Sequence, residues 1–285
     1  MSRKAIFTAD DFGLDEAVNE AVERAHRDGV LTSASLMVTA PAAADAVARA
    51  KRLPNLAVGL HLVLVQGTPA LSPDAVAPLL GRGGAFLNSP AAAGLRYFFS
   101  PSARAALAAE IREQFEAFRR TGLPLDHVDG HTHLHIHPTI FSLLLEIGPD
   151  YGMRAMRVPF ERPGASWRAA QKGWFSRYAI SGAFAPWAAS MRGRLARKGA
   201  VCNDSLFGFH DTGAMTEDLV LRQLETLKAG TVTEFYCHPA TRRTDWIARQ
   251  MPGYRNVEEF EALGSPRLRA ALERLDIKPV AFRDL

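Results

Sequence analysis

The sequence alternates short apolar runs with amphipathic helical patterns, and this alternation restricts the fold more than any other feature. We predict strands at 5–9, 33–39, 56–64, 125–129, 155–158, 231–236 and 279–282. We predict helices between and after them at 15–27, 42–52, 102–120, 138–151, 216–227, 256–263 and 266–275. Strands that alternate with helices are typical of βαβ units and a parallel sheet. A chain of 285 residues has the length of a single α/β barrel. We therefore expect one α/β barrel domain covering residues 1–285.

Residues 162–200 interrupt this alternation. Tryptophan, phenylalanine and tyrosine are interleaved there with arginine and lysine, and no acidic residue lies between Glu161 and Asp204. A basic aromatic helix of this kind suits the surface of an anionic membrane. An insertion whose aromatic residues fill a core and whose charges are solvated fits equally well. Tyr97, Phe98 and Phe99 leave the same two alternatives open.

Cysteine content and hydropathy bear on the compartment. Cys202 and Cys237 lack the spacing of a metal or redox motif, which favours reduced thiols. The first apolar stretch, 5–9, is too short for the apolar region and cleavage site of a signal peptide, and no apolar run reaches the ~18 residues of a spanning helix. We therefore expect a cytoplasmic protein, with peripheral contact at the inner face of the cytoplasmic membrane left open. The net charge of +4 comes without a recognised nucleic-acid module, so we expect no nucleic-acid partner.

Asp10 and Asp11 form the first candidate site, directly after the first predicted strand. The strands of an α/β barrel bring their carboxyl ends to one shared mouth, where catalytic residues are found. Adjacent carboxylates repel each other unless a cation or different protonation states relieve the repulsion. One carboxylate on a metal and one free as a base would satisfy this. The alternative is that the Asp-Asp-Phe-Gly turn only caps the following helix.

A histidine-rich run forms the second candidate site. His127, His131, His133, His135 and His137 lie within eleven residues. Imidazole is a common metal ligand, but not all five can bind one ion. If residues 128–136 are extended, His131, His133 and His135 share a face. One or two of these three should then bind the metal. The alternative is an exposed loop that binds metals adventitiously.

Two isolated histidines complete the set. His61 lies in a predicted apolar strand, where a core histidine would be the ordinary interpretation. His238 ends another predicted strand, from which it could donate a proton to a leaving group. A structural role for His238 is the alternative.

Four ordered motifs together resemble one known family. They are Thr8-Ala-Asp-Asp-Phe-Gly13, Val58-Gly-Leu-His-Leu62, His127-Val-Asp-Gly-His-Thr-His-Leu-His135 and Cys237-His-Pro239. The chain is identified by them as similar to the YdjC-like carbohydrate deacetylases, relatives of chitooligosaccharide deacetylase, over nearly its whole length. The segments 25–37 and 59–64 look most like the hopanoid-biosynthesis subgroup called HpnK. The resemblance implies a distorted (β/α) barrel with a metal site at the carboxyl ends of the strands.

The resemblance also implies roles for individual residues. The metal carboxylate of the family falls on Asp11, and its two metal histidines fall on His61 and His131. The catalytic base falls on Asp10 and the catalytic acid on His238.

Three further residues and one cofactor follow from the same resemblance. His133 and His135 would support the ligands or face the substrate. Arg157 would orient the base or bind sugar hydroxyls. The cofactor would be one divalent metal ion; Zn and Mg are favoured, and Mn and Co remain open.

The expected function is therefore metal-dependent hydrolysis of the acetamide of an N-acetylglucosaminyl group carried by a hopanoid lipid. The substrate would be an N-acetylated glycan or glycolipid. Soluble chitooligosaccharides, other acylated sugars, and another amide or ester remain alternative substrates, and a non-catalytic glycolipid-binding protein is an alternative from a different class. The oligomeric state stays open, with a homodimer among the alternatives.

Overall fold

The computed structural model describes residues 2–285 and is built around one parallel sheet. Its strands are β1 (Arg3–Phe12), β2 (Ser33–Leu36), β3 (Ala57–Leu62), β4 (Leu125–Gly130), β5 (Ser205–Phe207), β6 (Val232–Cys237) and β7 (Ile277–Pro279). The order across the sheet is β4-β3-β2-β1-β6-β5, and every pairing is parallel. β7 pairs with the beginning of β1. Parallel order brings the carboxyl ends of all these strands to the same edge of the sheet.

Helices and short 3₁₀ turns connect and follow the strands. The helices are α1 (Glu16–Asp28), α2 (Ala43–Ala50), α3 (Pro90–Phe99), α4 (Pro101–Thr121), α5 (Pro138–Ile147), α6 (Pro163–Ala170), α7 (Trp174–Arg197), α8 (Glu217–Leu224), α9 (Asp245–Gln250), α10 (Asn256–Gly264) and α11 (Pro266–Arg274). The 3₁₀ turns are Ala77–Leu79, His131–Ile136, Gly148–Tyr151 and Phe282–Asp284. Residues 148–151, predicted as the end of a helix, form one of these turns. The last strand, predicted at 279–282, is observed at 277–279.

The sheet curls into a distorted barrel, as predicted, but it closes differently from the expectation. β4 and β5 are the two ends of the strand order. Residues 155–158, predicted as a strand, form only single-residue bridges there, Val128 to Met156 on one side and Ala155 to Val201 on the other. Pro159 follows directly and has no N–H for a ladder, so the segment cannot continue as a regular strand.

α1 shows why the predicted elements formed where they did. Asp15 precedes the helix, and its side chain accepts a hydrogen bond of 2.8 Å from the backbone N–H of Ala17. Such a cap satisfies an N–H that has no partner within the helix. One face of α1 carries the buried residues Ala17, Val18, Ala21, Val22 and Ala25, and this spacing matches the helical period.

The basic aromatic segment, residues 162–200, folds as α6 and α7. Some of its aromatic residues pack in the interior and others are exposed. The Trp187 indole packs against Phe141, with ring centroids 5.8 Å apart, and its N–H donates to the carbonyl of Ile136. Trp174 and Phe175 instead leave 61% and 69% of their surface exposed. Within residues 2–285, no helix has both the length and the apolar character needed to cross a bilayer.

α3 was not predicted as a helix from the sequence. Its start is nevertheless signalled there, because Ser89 caps the helix and Pro90 occupies the first turn. Tyr97 is buried and donates a 2.7 Å hydrogen bond to the carbonyl of Leu64, so it belongs to the core. Phe98 and Phe99 are exposed.

Candidate metal centre and active site

Asp10 and Asp11 both line one cavity at the carboxyl end of β1. Successive residues of a regular strand point to opposite faces, so two neighbours cannot normally share a site. Here the pairing of β1 with β2 is irregular between Ala9 and Phe12, and Asp11 has a left-handed φ of 61°. The irregularity and the unusual φ turn the second carboxylate back toward the first. Left-handed backbone in a non-glycine residue is strained, and such strain is often found at functional sites.

Asp11, His61 and His131 bring three donor atoms together within 4.8 Å of one another. The Asp11 Oδ1 atom lies 3.3 Å from His61 Nε2 and 2.9 Å from His131 Nδ1. One carboxylate and two imidazoles form the donor set of many catalytic zinc sites, which keep a fourth position open. These side chains could therefore hold a divalent ion. They come from β1, β3 and the turn after β4, three neighbouring parts of the sheet edge.

The electrostatics of this cluster suit a cation. Burial by itself lowers the pKa of His61, but the carboxylates of Asp129 and Asp11 outweigh burial and raise it to about 10. Without a metal, His61 is thus an imidazolium held between two carboxylates. A divalent ion bound to His61 would displace one proton from the imidazolium ring. Metal binding at histidine is commonly linked to proton release in this way.

Asp129 holds His61 in place, a role that the sequence analysis missed. Its Oδ1 lies 2.7 Å from His61 Nδ1, so Nε2 of the same ring is left facing Asp11. Its Oδ2 accepts from the Ser35 hydroxyl at 2.8 Å and lies 2.8 Å from an Arg157 nitrogen. Carboxylates that bind the far nitrogen of a metal-ligating histidine fix its tautomer and ring orientation.

Arg157 is fully buried among three carboxylates. It donates to both oxygens of Asp10, at 2.7 and 2.8 Å, and to Glu234 Oε1 at 3.0 and 2.8 Å. Asp10, His61 and Asp129 are a second group with metal-donor spacing, but the guanidinium already supplies a positive charge to both of those carboxylates. Within residues 2–285, Asp11 has histidines as its charged partners and no arginine or lysine, so its group is the better metal site.

His238 follows β6 and faces the same cavity. Its backbone N–H donates to Glu259 at 2.6 Å, and its ring lies between the rings of Tyr236 and Tyr254, with centroids 5.6 and 5.0 Å away. Among residues 2–285, nothing forms a hydrogen bond with its buried Nδ1. The ring is therefore held by packing, and it borders the cavity.

The histidine-rich run does not adopt the extended conformation considered from the sequence. β4 ends at Gly130, and His131–Ile136 is a 3₁₀ turn in which Thr132 and His133 have φ values of 53° and 57°. The expectation of one shared face was therefore wrong. His131 belongs to the group of possible metal donors with Asp11 and His61, whereas His133 and His135 lie outside that group.

His133 lines the cavity and stacks on Phe209, with ring centroids 5.6 Å apart. His135 points into the interior, where its Nε2 lies 3.1 Å from the carbonyl oxygen of Arg157. Burial lowers the pKa of His135 to about 4, so the ring is neutral near pH 7 and donates from Nε2. His135 thus supports the backbone of Arg157 and does not reach the cavity.

The cavity measures about 230 Å³, and several of its walls were not expected from the sequence. Phe209, Tyr236 and Tyr254 supply aromatic walls, while Gln66 and Thr212 supply polar ones. A sequence signal existed for part of this set: Glu234, Tyr236 and His238 follow each other at a spacing of two, which places them on one face of an extended segment.

Comparisons with known proteins identify relatives of the whole chain. A relative from Vibrio vulnificus strain CMCP6, named carbohydrate deacetylase, is 32% identical over 99% of this chain and 96% of its own length. A carbohydrate deacetylase from Geobacillus stearothermophilus is 28% identical over 100% of this chain and 98% of its own.

A crystal structure from Enterococcus faecalis V583, provisionally described as a cellobiose-phosphate cleavage protein, superposes with a TM-score of 0.74 at 23% identity, covering 100% of this chain and 99% of that one. That likeness supports the fold alone. The family model described as YdjC-like protein matches residues 4–274. The chain therefore belongs to the YdjC-like protein family.

Proposed function

We propose that this protein is a metal-dependent carbohydrate deacetylase that hydrolyses the acetamide of an N-acetylated amino sugar. The observation that carries the proposal is the meeting of three side chains with metal-donor spacing, a carboxylate oriented by arginine and a histidine around one cavity. Amide hydrolysis needs an activated water, a stabilised oxyanion and a proton for the departing amine. The relatives named carbohydrate deacetylase support the reaction class.

Asp11, His61 and His131 would hold the metal, and Zn or Mg fits this set of donors, with Mn and Co as alternatives. When bound, the ion supplies Lewis acidity to the attacking water and to the acetamide oxygen. The chain holds the ligands rigidly, because Asp129 orients His61 and Asp11 lies between both rings.

Asp10 would act as the general base that takes the proton of the attacking water. Both of its oxygens accept hydrogen bonds from Arg157, so the carboxylate cannot rotate freely. This clamp leaves the remaining lone pairs of Asp10 for a water in the cavity. Positioning of this kind lowers the entropic part of the barrier.

His238 would protonate the leaving amine. The ring borders the cavity, and its orientation is set by two tyrosines rather than by a hydrogen bond to the ring. His133 would face the substrate beside Phe209, and His135 would act indirectly, through the Arg157 backbone.

The cavity volume favours a single sugar residue at the end of a larger substrate. About 230 Å³ is less than the ~300–1,000 Å³ typical of pockets that enclose a complete drug-sized ligand. Phe209, Tyr236 and Tyr254 offer apolar faces against which a pyranose ring can pack, and the polar groups beside them can bind hydroxyls.

For the acceptor we propose a hopanoid lipid that carries the N-acetylglucosaminyl group. The similarity of residues 25–37 and 59–64 to the HpnK subgroup supports this choice. Within one catalytic domain covering 1–285, residues 162–200 would then face the membrane. Soluble chitooligosaccharides are the alternative, since a terminal sugar would fit the same cavity.

Mass spectrometry of two substrates tests the reaction and the acceptor. An N-acetylglucosaminyl hopanoid and diacetylchitobiose are each incubated with metal-loaded wild-type protein, with Asp10→Asn and with Asp150→Asn, a control at an exposed carboxylate. We expect loss of one acetyl group from the hopanoid with wild type and control, and none with Asp10→Asn. Turnover of diacetylchitobiose alone would overturn the lipid acceptor but keep the reaction. No turnover of either substrate with any of the four metals would overturn the proposed reaction.

A further inference from the structure

The first half of α7 lies on the surface although it is apolar. Trp174, Phe175 and Tyr178 are 61%, 69% and 48% exposed, and Ile180 is 46% exposed. From Tyr178 to Met191 the helix contains no charged residue. Contiguous exposed apolar surface of this kind is uncommon on monomeric soluble proteins and marks sites of association.

A second exposed apolar group lies on α3. Leu95, Phe98 and Phe99 are 63%, 58% and 74% exposed. Each helix contacts the segment after β4: the Phe98 ring is 6.1 Å from the ring of His137, and Trp187, far along α7 from Trp174, donates to the carbonyl of Ile136. We call the exposed group on α7 the aromatic lip, defined by Trp174, Phe175, Tyr178 and Ile180.

The aromatic lip is joined to the wall of the active-site cavity through Arg177. Arg177, on α7, forms two hydrogen bonds of 2.8 and 2.7 Å with Asp211, which lies between the wall residues Phe209 and Thr212. Whatever covers the lip therefore lies beside the entrance to the cavity.

The chain segment that carries the lip is basic. Between Glu161 and Asp204 the chain has no acidic residue and eight basic ones, Arg162, Arg168, Lys172, Arg177, Arg192, Arg194, Arg197 and Lys198. Between Asp74 and Glu110 it has Arg82, Arg96 and Arg104 and again no acidic residue. Arg168 and Lys172, just before the apolar part of α7, are exposed. Lys172 Nζ lies 3.9 Å from Asp211 Oδ1, while the side chains of both basic residues still present charge to solvent. Exposed aromatic residues beside exposed basic residues match the interface of an anionic bilayer, where apolar side chains enter the headgroup region and cations meet phosphate.

We propose that the aromatic lip docks on an anionic lipid bilayer and holds the mouth of the active-site cavity near the headgroups. This inference deepens the proposed function, because it specifies how a lipid-linked sugar reaches the site, and only the identity of that substrate rests on the proposed function. Binding to lipid needs no turnover, so the two can fail separately.

Co-sedimentation with vesicles tests the proposal without any substrate. Wild-type protein is mixed with vesicles of phosphatidylcholine alone or of phosphatidylcholine with phosphatidylglycerol. Two variants remove the apolar and the basic part of the surface, Trp174→Ser/Phe175→Ser and Arg168→Gln/Lys172→Gln. Two controls make comparable changes elsewhere: Val201→Ser, at another exposed apolar residue, and Arg119→Gln/Arg120→Gln, at exposed residues near the end of α4.

We expect wild type and both controls to bind the anionic vesicles and to bind neutral ones weakly. The aromatic variant should lose more than about tenfold in partitioning and the charge variant more than about fivefold, and salt should weaken wild-type binding. Unchanged partitioning of the aromatic variant, or equal binding to both kinds of vesicle, would overturn the proposal. Sedimentation velocity without lipid tests the competing occupant: a wild-type dimer that becomes a monomer in the aromatic variant would assign the lip to a second copy of the chain and overturn bilayer docking.

Discussion

The guanidinium of Arg157 forms hydrogen bonds with both carboxylate oxygens of Asp10, at 2.7 and 2.8 Å, across 147 residues of sequence. The pair is buried, and the same arginine forms an ion pair of 2.8 Å with Asp129, which in turn holds the ring of His61. One cation thus orients the proposed base and, through one carboxylate, a proposed metal ligand.

Arg157→Lys should reduce kcat by about a hundredfold and change KM little, because a lysine keeps the charge but cannot hold both oxygens of Asp10 in one geometry. Steady-state kinetics of the metal-loaded enzyme measure this. Far-ultraviolet circular dichroism and thermal unfolding of the same sample establish that the variant is folded. A folded variant with wild-type kcat would contradict the positioning role.

Asp129→Asn should weaken metal binding by about 10- to 100-fold, because His61 loses the carboxylate that orients its ring toward Asp11. Competition of the protein with a chromophoric zinc chelator measures the affinity. The matched control is Asp126→Asn, which removes a nearby buried carboxylate that contacts His127 instead. Equal affinities of the two variants would rule out a specific role for Asp129.

Asp211→Asn should lower the free energy of unfolding by about 3–5 kcal/mol, because Arg177 would be left with a buried charge and a weakened partner. The surface pair Arg274–Glu225 offers a comparison, and Arg274→Gln should cost less than about 1 kcal/mol. Urea unfolding of both variants at one pH gives the difference. Hydrogen exchange of residues 208–212 should also become faster in Asp211→Asn alone, and unchanged exchange there would show that the pair does not anchor this loop.

The neutral state of His135 should make the stability of the protein depend on pH. Its pKa is lowered to about 4 in the fold, below the ~6.5 of an unfolded histidine. The unfolded chain therefore binds the extra proton first as pH falls. This contribution to stability is complete above about pH 6.5 and is lost between pH 6.5 and 4.

In His135→Gln this loss should disappear, while the side-chain amide can still donate to the carbonyl of Arg157. The plot of unfolding free energy against pH should be less steep in the variant, by up to about 1.4 kcal/mol per pH unit. Urea unfolding of metal-free protein between pH 8 and pH 4 measures both slopes, with pH 8 as the reference. Identical slopes would show that His135 does not stay neutral in the folded protein.

Much of the fold could be predicted because its signals are local. The apolar runs and helical periods of the first half placed β1, α1, β2, α2 and β3 within a few residues of their observed bounds. The family and the deacetylase class also followed from motifs that remain contiguous in sequence. The hopanoid acceptor, the metal and the individual catalytic roles remain predictions. α3 was missed because its alanine-rich, glycine-containing sequence has little amphipathic pattern, although Ser89 and Pro90 marked its start.

The sequence by itself determined that several carboxylates and imidazoles meet at one edge of the sheet, since they follow strands whose carboxyl ends must meet in a parallel sheet. Only the tertiary structure decided how they pair. The contacts of His61 with Asp129 and of Arg157 with Asp10 join residues 68 and 147 positions apart. The local periodicity of a sequence cannot predict contacts between residues so far apart. The left-handed backbone conformations of Asp11 and His133 could not be predicted from the sequence either. The surrounding packing imposes a left-handed φ on a non-glycine residue against the residue's own conformational preference.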